Sequence, residues 1–318
     1  MVPGYNPPRC PPPGPDRWRR RRRCRLPWGP VPPDTALPSG VAFRLPVDWA
    51  RCEPVEGRLD GEAFEHYTAV LDEGHARGLL PVVVLHHLGH PRWLGDDFWL
   101  RLEAPARFAE WTAAAVTHLE GRCRHWVTVE EPNVTAVRSW LSGTAPPGRI
   151  LAVGDLVRSL DHLLAAHVVA YGTLHGHRSD AVVATTVAAS PLYELGALLG
   201  DVLSARAAGV GRDDLPDWLS ERRRSWYSTR ARPTAAEATV RGMARSGVPL
   251  EQALPRTLDA VWAGPHGRPL DDLAVELPHP DGAAAADGRS AGSGLRVRGL
   301  AAVGRTVEAA VLGRGGSR

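Results

Sequence analysis

From residue 41 onward, short apolar runs alternate with longer stretches in which apolar positions recur every three or four residues. The short runs, residues 41–49, 79–86, 126–129 and 181–187, predict strands, and the longer ones, 61–77, 105–120 and 155–175, predict helices. Helical spacing is explicit in Phe64, Tyr67 and Leu71, and again in Leu156, Leu160, Leu164, Val168 and Tyr171, each set lying on one face. Asp60 and Asp155 stand where N-caps belong, and Gly78 stands where a helix ends. Four strands, each separated by a helix, call for parallel βαβ units with right-handed crossovers. An open doubly wound sheet and a closed barrel both satisfy that alternation.

Beyond residue 191 the strand pattern stops, and residues 195–208, 214–229, 235–246 and 250–261 carry helical spacing. The flanks have a different character. Residues 1–38 hold most of the proline clusters and predict a disordered leader, while residues 276–318, with their Ala-Ala-Ala-Ala and Ser-Ala-Gly-Ser-Gly runs, predict a low-complexity tail with a short helix at 295–312. The folded portion is therefore expected over residues 39–275.

At 318 residues and 43% hydrophobic content the chain can bury a sizeable core. Its formal charge is only +3, and it has no Lys, one Ile, one Gln and two Asn against abundant Ala, Gly, Pro and Arg. That skew has the look of GC-rich coding, so the arginines alone do not predict a nucleic-acid partner. Seven arginines between Arg17 and Arg25 invite a twin-arginine export signal, yet a proline-rich stretch follows where its apolar region should be. The most apolar stretch, residues 79–85, contains Pro81 and falls far short of the ~18 residues of a membrane span. Cys10, Cys24, Cys52 and Cys123 form no Cys-x-x-Cys pair and are expected as free thiols in a reducing compartment, which points to the cytoplasm.

One run carries chemistry. Residues 126–133 read Trp-Val-Thr-Val-Glu-Glu-Pro-Asn: a β-prone run that delivers a carboxylate to a strand end and is stopped at once by Pro132. A parallel barrel presents an acid to a substrate pocket in this way, and glycoside cleavage uses such an acid to protonate the leaving oxygen while a second carboxylate works at the sugar carbon. Together with Phe-Arg-Leu-Pro-Val-Asp-Trp-Ala-Arg at 43–51, Pro-Val-Val-Val-Leu-His-His at 81–87, Arg-Phe-Ala-Glu-Trp at 107–111 and Leu-Ala-Ala-His at 164–167, it resembles family 1 glycoside hydrolases of the β-glucosidase type. The likeness is densest over residues 40–188.

That resemblance implies a partial (β/α)8 TIM-type barrel of parallel strands, the four strands standing second to fifth of eight, followed by a helical C-terminal region. It implies O-glycoside hydrolysis with Glu131 as general acid/base. His87, Arg51, Trp126 and Asn133 would help to bind a small carbohydrate or glycoside, and Glu130 stands where the family usually has a sugar-binding Asn. No cofactor is implied, and His86, His87 and His90 have no carboxylate or Cys at a ligand spacing to make a metal site. No Glu-Asn-Gly run supplies the family's nucleophile, so the chain reads as an N-terminal portion with impaired catalysis. The alternative is a non-catalytic carbohydrate-binding or interaction protein, a pseudoenzyme or truncated product, whose uncovered barrel edges offer an association surface.

Overall fold

The structure, a computed structural model, describes residues 42–188, 190, 192–228 and 253–264. The predicted leader, the helix at 235–246 and the tail at 276–318 lie outside the described residues.

Strands β1 (Ala42–Pro46), β2 (Leu80–His86), β3 (His125–Val129) and β4 (Val182–Ala184) form one parallel sheet in the order β1-β2-β3-β4. Each joins the next in register, with Leu45 beside Val83, Val83 beside Trp126, and Trp126 beside Val183. Serial order decides between the two architectures left open by the sequence. A doubly wound sheet reverses direction at a switch point, whereas a barrel adds each strand outside the last, as here.

The intervening helices are α1 (Trp49–Cys52), α2 (Gly61–Ala76), α3 (Ala104–Leu119), α4 (Pro132–Ala136) and α5 (Val153–His177), and a wide turn over Val137–Leu141 extends α4. The Asp60 side chain caps α2 by accepting from Ala63 N at 3.2 Å, and Gly78 (φ +70°) reverses the chain after it. Asp155 does not cap α5. That helix starts at Val153, so Asp155 falls inside its first turn and pairs with Arg149 at 2.8 Å. β1 is shorter than the apolar run because the Asp48 carboxylate accepts from Ala50 N at 3.0 Å and starts α1.

Two cores flank α5. Between sheet and helices, Trp49 stacks on Trp111 with centroids 5.7 Å apart, and Phe98 and Phe108 meet Trp49 edge-on. Trp49 Nε1 donates to Glu53 at 2.8 Å and Trp111 Nε1 to the Leu85 carbonyl at 3.1 Å, so neither indole N–H is stranded. The second core joins Leu156, Leu160 and Leu164 of α5 to α6 (Ala197–Ala205), α7 (Leu215–Ser228) and α8 (Pro255–Ala263). Apolar on both sides, α5 is buried through most of its length. Among the described residues no helix is long and apolar enough to cross a membrane.

Asp161, 3% exposed, ties the last helix to α5. Leu254 precedes α8 and has no side-chain oxygen to cap it, so the Asp161 carboxylate accepts from Arg256 N at 3.1 Å and Thr257 N at 2.8 Å, and from the Thr257 hydroxyl at 2.8 Å. Asp161→Ala strands these donors and is expected to lower stability by about 2 kcal/mol in urea unfolding, with Asp161→Asn losing less.

Buried histidines set an acid limit. Burial, with His90 and His87 adding to it, pushes the pKa of His86 down to about 3, and burial also lowers His87, His90, His125 and His162. Below the ordinary value of 6.5 the unfolded chain therefore takes up protons that the fold refuses. Stability is full above that value and falls as pH drops through it. The buried carboxyls Asp161 and Asp201, raised by burial from 3.8, act in the opposite sense at the acid end. The urea midpoint should fall between pH 7 and about 5, with His86→Gln flattening the slope; a midpoint constant over that range would contradict the assignment.

Candidate active site

The site lies where β3 runs out. Glu130 N donates to the His86 carbonyl at 2.8 Å, continuing the ladder to β2 by one rung. One residue on, Glu131 N donates to both oxygens of Thr186, to the carbonyl at 3.1 Å and the hydroxyl at 3.0 Å. The two glutamate N–H groups are thus held from opposite sides, one by the end of β2 and the other by the chain leaving β4.

Glu131 is left-handed, at φ 46° and ψ 58°, a region costing an L-residue about 1–2 kcal/mol and disfavoured further before proline. Strain of this kind persists where surroundings impose it, and it recurs at functional sites. The kink lets Pro132 start α4 at the position where a missing N–H does no harm. Glu131 is left half-buried at the C-terminal end of the strand.

Glu130 is fully buried and forms an ion pair with Arg44 of β1, reaching past β2 to do so. Strand alternation explains the meeting. Phe43 and Leu45 pack into the helix-side core, so Arg44 shares with Ala42 the opposite face, where Val82, Val84 and Val127 cluster. His87 stands at the end of β2, its Nδ1 3.6 Å from Glu130 Oε2 and its side chain 38% exposed. Its pKa is lowered, first by burial and then by the charges of Arg44 and Arg138, so near pH 7 the ring is neutral and can offer one donor and one acceptor. Thr135 Oγ1 donates to the His87 carbonyl at 3.0 Å and docks α4 against the end of β2.

Four of the six residues expected at the site take a different part or lie elsewhere. Arg51 sits on α1 with its guanidinium over the Tyr67 ring at 5.6 Å; the arginine that reaches the glutamate pair is Arg44, from the same sequence run. Trp126 is fully buried in the core between sheet and helices. Asn133 uses its whole amide on backbone, Nδ2 donating to the carbonyls of Ala188 (2.9 Å) and Leu195 (2.8 Å) while Oδ1 accepts from Ala188 N at 3.2 Å. It fastens the rim, with both amide atoms engaged by backbone. Glu130 faces inward to Arg44 rather than outward to solvent. Among the described residues no three His, Cys, Asp or Glu side chains are grouped to hold a metal ion.

Arg44 and Thr186 were the residues that pattern reasoning passed over. Arg44 had a visible signal, a cation alternating with Phe43 and Leu45 in a strand, whereas Thr186 had none, because its role depends on how β4 lies beside β3.

The arrangement can hold a proton donor beside neutral and charged hydrogen-bonding groups at the end of a parallel strand. Comparison with known proteins gives it a family. The family model for glycosyl hydrolase family 1 matches residues 39–209. Beta-glucosidase 22 of Oryza sativa subsp. japonica is 30% identical over 150 residues, covering 46% of this chain and 28% of that protein. Beta-glucosidase 6 of the same plant is 30% identical over 111 residues, covering 34% and 21%. Among solved structures, a beta-glucosidase from Thermotoga maritima in complex with deoxynojirimycin is 25% identical with a TM-score of 0.45, covering 47% of this chain and 34% of the other. The chain therefore spans roughly a quarter of the length of these curated relatives. Since the family match covers more than half of the chain, from residue 39 to residue 209, this protein belongs to glycosyl hydrolase family 1.

Proposed function

We propose that the chain acts on O-glycosidic bonds of β-glucoside type, with Glu131 as the general acid that protonates the leaving oxygen. The observation that supports this most is the strained turn at Glu131. A left-handed glutamate before a proline, clamped by two acceptors from the neighbouring strand's exit, holds a half-buried carboxyl at the end of a parallel strand. A general acid needs that placement, within reach of the leaving atom and out of bulk water. His87, partly exposed and neutral, would contact the sugar, and Arg44 with Glu130 would fix the floor beneath it.

A retaining mechanism also needs a second carboxylate about 5 Å from the first across the scissile bond. Glu130 is ill placed for it, being adjacent on the same strand end, fully buried and paired with Arg44. That observation favours a second reading, a sugar-binding protein of the same ancestry without turnover. The two separate cleanly. With an acid catalyst, Glu131→Gln should reduce kcat/KM for a 4-nitrophenyl β-glucoside by roughly 10²–10⁴-fold. A 2,4-dinitrophenyl β-glucoside, whose leaving group needs no proton, should lose far less. Binding of glucoside by calorimetry without any turnover in the folded chain would select the second reading.

A further inference from the structure

We propose that Glu130 is a positioning residue that sets the tautomer of His87, placing the ring hydrogen on Nδ1 and making Nε2 a hydrogen-bond acceptor at the rim. The tautomer is a property of the fold alone, while its consequence for ligands rests on the proposed contact of His87 with the sugar.

Backbone bonds hold the two residues at a fixed spacing. Glu130 N donates to the His86 carbonyl at 2.8 Å and the Thr135 hydroxyl donates to the His87 carbonyl at 3.0 Å, so both carbonyls at the end of β2 are fastened. Arg44 meets Oε1 of Glu130, and Oε2 faces the imidazole, 3.6 Å from Nδ1. The arginine favours the ionised form of the carboxyl.

A separation of 3.6 Å is too long for a hydrogen bond, but the charge of a carboxylate with no exposure of its own still acts strongly on the nitrogen before it. It attracts an N–H and repels a lone pair. Burial and the charges of Arg44 and Arg138 keep the ring neutral, so it carries one hydrogen, and a hydrogen on Nδ1 leaves the lone pair on Nε2. Nε2 has no hydrogen-bond partner among the described residues and is not buried, on a side chain 38% exposed.

Whatever meets that nitrogen must donate. A sugar hydroxyl can do so, whereas a fluorine in its place can only accept.

Nitrogen-proton correlation spectra of the labelled full chain near pH 7 test the assignment, with the His87 signals identified by their loss in His87→Gln. The form with the hydrogen on Nδ1 should exceed the other by about tenfold or more. Glu130→Gln, whose amide can turn either its NH2 or its oxygen to the ring, should bring the two forms to within about threefold. In calorimetry with methyl β-glucoside and its four monodeoxyfluoro analogues, at least one analogue should bind the parent chain about fivefold more weakly than the glucoside, by a margin that closes in Glu130→Gln. A hydrogen on Nε2 in the parent spectrum, which requires no variant to fold, overturns the proposal. So does an unchanged tautomer in folded Glu130→Gln, or a set of fluorine margins the same in both proteins. The expected spectrum from a chain that binds no glucoside would uphold the pairing of Glu130 with His87 and overturn the sugar contact instead.

Discussion

A single N–H, that of Glu131, meets two oxygens of Thr186, and the geometry of the site follows from this contact. Left alone, a glutamate before proline would take an extended conformation and carry its carboxyl along the line of the strand. The bond from β4's exit, together with the last rung from Glu130 to His86, holds the residue in the left-handed region. None of these restraints comes from β3 itself. The strain at the turn is supported by register across three strands, so the site exists only where the sheet is correctly paired.

Burial then divides the two glutamates. Glu130 meets Arg44 inside the protein, and replacing Arg44 would remove a counter-charge from a carboxyl that has no exposure of its own. Glu131, one residue later, is only half-buried. Two carboxyls of the same type, adjacent in sequence, thereby take one buried and one half-buried position, and the separation is made by a change of sign in one backbone angle.

How much of this could be read from the chain follows the range of the interactions. β2, β3, α2 and α3 answer to local pattern, and Asp60 and Gly78 bound α2 as their chemistry requires. The glutamate at the strand end was legible for the same reason, since Pro132 stops the strand whatever surrounds it. Positions that depend on distant partners were not. β4 pairs for only three residues where apolar pattern suggested seven, because after Ala184 the backbone turns to serve Glu131 and Asn133. Arg44 and Arg51 share one short run, and only alternation on a strand of known extent separates the residue that meets Glu130 from the one resting on Tyr67. Trp126 belongs to a motif, yet its ring serves the core.

Asn133 has a wider consequence. Its one amide grips the backbone at Ala188 and Leu195, on either side of the passage from sheet to helical layer, while its own main chain sits two residues after Glu131. Acid and helical layer are thereby geared together. Loosening in the packing around α6 would reach the Glu131 carboxyl through this tether, so the demand for a fixed carboxyl would be felt by side chains that never approach the rim.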